Sequence, residues 1–349
     1  MKKLIALLLA LTMVFALCAC GAKEEAPAAA PAAPAQEAAP ADPAFTITMK
    51  LGYTGNDETL SSTYMVKWAE AVKAASDGRI VIETYSSGQL GTGVEMIEAV
   101  DLGTLDMTLA DYSLVQTYLP EIGILSLPCI IEDYDHMWEV YDGEVGQELN
   151  ARLEANSNLK LLGTFYNGFR YIGSVRALET MEDCKGLIIR SPESDIYVNT
   201  FKLYGMNPTP LPLGDVYSGL QTGVVEGVDS PIENFVTFSF GEVAPYILQS
   251  RHLASALPVA VNNKVWATIP AADQELILAE LDKVLTELSE ATLAKEDEVF
   301  ETLKAQGVTF TEFGAEDRAA LVEAFKGYWT EFATENNCQD LLDMILATL

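Results

Sequence analysis

Three consecutive stretches decide how this chain is read: T-F-Y-N-G-F-R-Y-I-G-S-V at 164–175, D-C-K-G-L-I-I-R-S-P at 183–192, and G-M-N-P-T-P-L-P-L-G-D-V-Y-S-G-L-Q-T-G-V-V-E-G-V-D-S-P-I-E-N at 205–234. Apolar runs at 159–162 and 187–189 read as strands, and Gly and Pro punctuate them. Each strand delivers one arginine, Arg170 or Arg190. The chain has 51 acidic residues against 21 Lys and Arg, and a formal net charge of -30. A guanidinium held at a rigid strand end is a planar fork that matches a carboxylate bidentately. The first chemical expectation is therefore a carboxylate receiver.

Working outward, strand-like and helix-like segments alternate. Strands are expected at 45–51, 79–85 and 105–110. Between them lie helices at 61–76 (Tyr64, Trp68, Ala71, Val72 and Ala75 inward) and 91–103 (Val94, Ile97 and Val100 inward). This is the pattern of a parallel α/β layer. Asp133 caps a helix running to about residue 155. Strands follow at 159–165 and from 169 to 175, then a turn at 181–186 and a helix at 194–204. Another helix opens at Leu213-Gly214-Asp215, with Val216, Leu220 and Val224 on its apolar face. Mixed extended chain covers 243–261. Pro270 opens a long helix to about residue 306, with Leu276, Leu281, Leu285, Leu288 and Leu293 along a seam. A strand at 308–313 precedes helix at 315–349, broken near Asn336-Asn337.

The acidic balance excludes nucleic-acid binding, which requires basic surface. With 49% apolar residues, the chain can bury a sizeable core, and its length suits two domains. Residues 1–20 read as a secretory leader: Lys2 and Lys3, then an apolar run shorter than the roughly 20 residues of a membrane span. Residues 21–44 are rich in Ala, Pro and acids, too poor in apolar mass to fold, and read as a disordered tether. Cys129, Cys184 and Cys338 have no metal spacing and read as unpaired thiols, although one disulfide remains open.

The motifs G-F-R (168–170), K-G-L-I-I-R-S-P (185–192), N-P-T-P-L (207–211), D-V-Y-S-G-L-Q-T-G-V-V-E-G (215–227) and D-S-P (229–231) resemble the solute-binding proteins of TRAP transporters, the DctP family. S-S-G-Q-L-G (86–91), E-A-V-D-L-G-T-L-D-M (98–107) and Y-L-P-E-I-G-I-L-S-L-P (118–128) agree. The resemblance covers residues 45–349. It implies a two-lobe α/β periplasmic-binding fold with a hinge, a central cleft and long C-terminal helices spanning both lobes. Lobe I is expected at 45–167 plus 256–295, and lobe II at 168–255 plus 296–349. It implies an extracytoplasmic receptor that presents a small organic acid anion to small and large TRAP membrane subunits. L-C-A-C-G (17–21) resembles a bacterial lipobox, with Cys20 lipidated and the protein anchored to the cell membrane.

By the same resemblance, Arg190 pairs with the ligand carboxylate and Arg170 assists. Ser230 stands where the family often has an asparagine, so one hydroxyl replaces an amide donor. Leu213 stands where sialic-acid-binding members carry an aromatic residue. The opposing loops follow strand ends, where ligands sit in open α/β sheets. They offer Tyr53, Thr54 and Asn56 after the first strand and Asp111 and Tyr112 after the third. Gln89 and Glu95 have weaker claims. Asp111 suits ligand hydroxyls or repels a second carboxylate.

No P-loop, G-x-S-x-G elbow or G-x-G-x-x-G occurs, and His136 and His252 share no metal-ligand spacing, so no cofactor or metal is expected. Two alternatives stand beside transport: the same cleft presenting its ligand to a sensor kinase, and a surface enzyme acting on acidic sugars through His136 or His252.

Overall fold

The computed structural model describes residues 44–349. The expected leader with Cys20, and all but the last residue of the expected tether, lie outside the described residues. Among the described residues ten strands form one sheet: β1 (Ile47–Gly52), β2 (Ile80–Tyr85), β3 (Met107–Leu109), β4 (Leu159–Ser174), β5 (Ile188–Ser191), β6 (Asn207–Pro210), β7 (Gly227–Pro231), β8 (Tyr246–Leu248), β9 (Ala254–Asn262) and β10 (Thr309–Thr311). Their order is β2-β1-β3-β9-β4-β7-β5-β6, with β8 on β4 and β10 on β8. The first three strands are parallel, as are β7, β5 and β6. Antiparallel β9 and β4 join these two groups.

β4 is where the architecture turns. Its residues from Leu159 to Phe169 pair with β9, and those from Arg170 to Ser174 pair with β7. Two strands are expected here from sequence, yet one irregular strand is present. Asn167-Gly168 makes a bulge rather than an end: the register shifts between Tyr166 and Phe169, and Gly168 has φ 90°. A bulge leaves backbone groups out of the ladder. Two side chains of the helix Ala271–Ala305 take them up. Ser289 Oγ accepts the Tyr166 N–H at 3.0 Å, and Glu296 Oε1 accepts the Phe169 N–H at 3.4 Å and the Tyr166 hydroxyl at 2.8 Å.

The flanking helices follow their caps. Thr59 caps Leu60–Ala75, and Thr92 with Glu95 forms a capping box on Gly93–Leu102, each satisfying an otherwise orphaned N–H. Asp133 does cap a helix, but that helix ends at Tyr141; Gly143 interrupts it and a second runs Glu144–Asn156. The 181–186 turn holds the short helix Met181–Cys184. The long helix closes at Ala305 as expected, and Ala315–Glu335 and Gln339–Leu346 flank the predicted break.

Four expected core positions are exposed instead: Ala75, Val94, Val224 and Leu293. Each lies near an element end or on a long helix, where an apolar residue can fall off the packed stripe. Met65 and Ala69 fill the face of the first helix beside Trp68 and Val72. One apolar cluster joins Met49, Trp68 and Val261 to Ile277, Leu281 and Leu288 of the long helix. A larger one runs from Met96 through Leu153 and Phe201 to Phe325 and Ile345, so the C-terminal helices pack into it. Cys129, Cys184 and Cys338 are unpaired, and burial pushes their thiols up to about 11, 12 and 11, which makes them poor nucleophiles at neutral pH.

Candidate functional site

A cavity of about 430 Å³ opens between loops that follow β1 and β3 on one side and residues of β5, β7 and the 212–215 turn on the other. That is within the roughly 300–1,000 Å³ of small-molecule sites. Arg190, Arg170, Ser230, Leu213, Asp111, Tyr53 and Thr54 all line it.

Arg190 is fixed by β5, which lies between β6 and β7. It is 5% exposed, and its Nε donates to the Leu211 carbonyl at 2.8 Å. That bond orients the fork, and among the described residues neither terminal nitrogen has a hydrogen-bond partner. Among the described residues no carboxylate lies within 4 Å of it. Burial, with the neighbouring Arg170 charge adding to it, lowers its pKa to about 10. Arginine is cationic at neutral pH even so; Asp229, Tyr197 and Glu193 offset the shift only in part.

Arg170 differs. Its Nε lies 2.8 Å from Asp229 Oδ2, its Nη2 contacts Oδ1 and the Asp229 carbonyl, and its guanidinium lies 4.8 Å over the Tyr197 ring. Asp229 is fully buried and also bonds His252 Nε2 at 2.9 Å, while Ser250 Oγ meets Nδ1 at 2.8 Å. An ionised carboxylate only accepts, so Nε2 carries the hydrogen. Burial works to raise the Asp229 carboxyl pKa, but Arg170 and His252 outweigh it and hold it well below the usual range. Burial likewise works to lower the Arg170 pKa, and Asp229 reverses it to a raised value. Arg170 thus faces the cavity with its charge already balanced.

Asp111 caps the turn Tyr112–Val115 through the Ser113 N–H at 2.8 Å and meets the Tyr197 hydroxyl at 3.3 Å. Burial raises the pKa of the Tyr53 phenol. Ser230 Oγ accepts a bond from Asn234 Nδ2 at 2.8 Å. Asn234, one helical turn on, thereby brings an amide to the cavity wall beside the serine that replaces one.

Four expected residues are elsewhere. Tyr112 is buried in the core, its hydroxyl 2.7 Å from Thr164 and its ring edge-on to Tyr141, because in a short helix only the cap faces the loop. Glu95 is exposed and accepts the Thr92 N–H at 2.8 Å, so its carboxylate serves the helix start. Asn56 spans to the other side: its Nδ2 donates to the Thr237 carbonyl at 2.7 Å and its Oδ1 accepts the Glu58 N–H. Gln89 is not among the lining residues either.

Sequence reasoning missed Asn167, Ser255, Glu233 and Asn234. Asn167 shares a weak signal, the bulge dipeptide Asn-Gly; Glu233 and Asn234 follow D-S-P directly. Both histidines have side-chain partners: His136 bonds the Glu132 N–H and Thr348, and His252 bonds Asp229. Among the described residues, no cluster of His, Cys, Asp or Glu could hold a metal, and no helix is long and apolar enough to cross a membrane.

Residues 51–336 match the family model described as bacterial extracellular solute-binding protein, family 7. A solute-binding protein of Roseobacter denitrificans is 30% identical over 80% of this chain and 86% of its own length. A TRAP periplasmic solute-binding protein of Citrobacter koseri, solved with bound D-glucuronate, superposes with TM-score 0.81 at 27% identity, covering 86% of this chain and 99% of that one. The corresponding protein of Sulfurospirillum deleyianum, solved with bound succinate, gives TM-score 0.81 at 25% identity, with coverage of 86% and 99%.

Proposed function

Because the chain belongs to the bacterial extracellular solute-binding proteins of family 7, the TRAP solute receptors, we propose that it captures an organic acid anion outside the cytoplasm for secondary active uptake through small and large TRAP membrane subunits. Members of this family bind solutes. On our reading this chain likewise makes and breaks no bond, and both of its histidines already have structural partners. Cys20 would carry the lipid anchor and residues 21–44 the tether.

The observation that carries the reading is Arg190, a buried guanidinium facing a cavity, with no carboxylate within 4 Å among the described residues. An unpaired buried charge is unfavourable, so a ligand carboxylate gains strongly by pairing with it and a neutral analogue is rejected. Arg170 assists from its balanced position. Residues 45–167 with 256–295, and 168–255 with 296–349, would close as two lobes about the β4 bulge. A ligand touching both would shift the population toward the closed state.

The test is a thermal-shift screen of organic acids, followed by calorimetry on the acid that binds. Binding to the native state raises the melting temperature by mass action. Arg190→Ala should abolish the shift; tight binding retained by that variant would remove Arg190 from the site.

A further inference from the structure

We infer that the cleft selects an acid with one carboxylate and several hydroxyls, and that Glu233 is the residue that turns away a second carboxylate. This rests on the reading that Arg190 receives the first. Six charged side chains line the cavity: Arg170 and Arg190 against Asp111, Glu193, Asp215 and Glu233. Asp229 balances Arg170. One ligand carboxylate balances Arg190, and no cation of the lining then remains for another.

The four acids are not equivalent. Glu193 and Asp215 are exposed, where solvent and salt screen them. Asp111 has its carboxylate engaged by Ser113 and Tyr197. Glu233 is half-buried, and among the described residues only its Oε1 has a hydrogen-bond partner, the Leu60 N–H at 2.9 Å. Its second oxygen is left to accept from a ligand hydroxyl. Burial raises its pKa, with the Leu60 N–H and the charge of Lys295 acting against this. Lys295, on the long helix, borders a separate small recess behind Glu233 and does not line the main cavity. Among the described residues no cation lies within 4 Å of Glu233. The rest of the lining offers neutral hydrogen-bonding groups, among them Thr59, Ser61, Asn167, Asn234 and Ser255. Such groups satisfy hydroxyls in both directions, whereas a carboxylate set beside Glu233 meets a like charge in a partly desolvated place.

The experiment compares matched pairs by calorimetry at neutral pH: D-galactonate with galactarate and D-gluconate with D-glucarate, which differ only in the group ending the chain. Succinate is a further dicarboxylate. The monocarboxylate of a pair should bind on the order of 100-fold more tightly. Glu233→Gln keeps an acceptor for the Leu60 N–H but removes the charge, and should narrow that ratio at least tenfold, with a melting curve confirming the fold. A dicarboxylate binding wild type as tightly as its partner, or a folded Glu233→Gln protein with an unchanged ratio, overturns the inference and leaves the receptor reading intact. Binding of no organic acid at all overturns both.

Discussion

Arg170 reaches diagonally across the β4–β7 ladder to Asp229, with Nε 2.8 Å from Oδ2, and the pair is almost fully buried. On β5, beside β7, Arg190 has among the described residues a hydrogen bond only to a carbonyl. Two guanidiniums side by side thus divide the work: one is held as structure, the other is left for a ligand.

Removing them should have opposite effects on the unliganded protein. Arg170→Ala strands a buried carboxylate and should lose about 3–5 kcal/mol. Arg190→Ala removes an uncompensated buried charge and should unfold at or above wild type. Urea titration of both separates the cases; equal losses would mean that both arginines are structural.

The Asp229 carboxyl sets a direction for acid sensitivity. Its folded pKa lies below its unfolded value of about 3.9. The stability it contributes is therefore fully present above that value and is lost as pH falls toward the folded pKa. Asp229→Asn should be clearly less stable than wild type at pH 7, and the gap should shrink below about pH 4. A gap that stays constant down to acid unfolding would contradict the ion pair.

Gly168 sits at φ 90° where β4 changes partners. An added Cβ would find ordinary contacts, 3.5 Å from Glu296 Oε1 and 3.7 Å from Pro231 Cβ. The penalty of Gly168→Ala is thus backbone strain, of order 1–3 kcal/mol. Thermal melting should show it. An unchanged melting temperature would show that the bulge relaxes freely.

Asn56 ties the loop after β1 to the Thr237 carbonyl, 181 residues away, at 2.7 Å. Asn56→Ala removes that tie without touching the cavity lining. Ligand release should quicken about five- to tenfold, the equivalent of one hydrogen bond of roughly 1 kcal/mol, with association little changed. Stopped-flow dissociation measures this; an unaltered off-rate would mean the bond is not part of the closed state.

Most element positions were legible because caps and periodicity are local. Asp133 starts its helix, Pro270 precedes the long one, and the break at Asn336-Asn337 falls where expected. β4 misled because a Gly that ends one strand can equally bulge another, and only the waiting Ser289 and Glu296 decide which. The candidate site divides the same way. Loop residues after strands were found as a group, but Tyr112, Glu95 and Asn56 carry donors and acceptors whose partners are Thr164, Thr92 and Thr237. Glu233 went unseen because its meaning lies in Leu60, 173 residues earlier.

By itself the sequence determined the alternation of strands and helices, the scarcity of cations, and two arginines beside apolar strand-like runs, since these follow from residue order and composition. Only the tertiary structure decided which arginine is free to bind. Neutralisation depends on which carboxylate lies within a few ångströms, and Asp229 comes to Arg170 from 59 residues away through a strand pairing that no local pattern specifies.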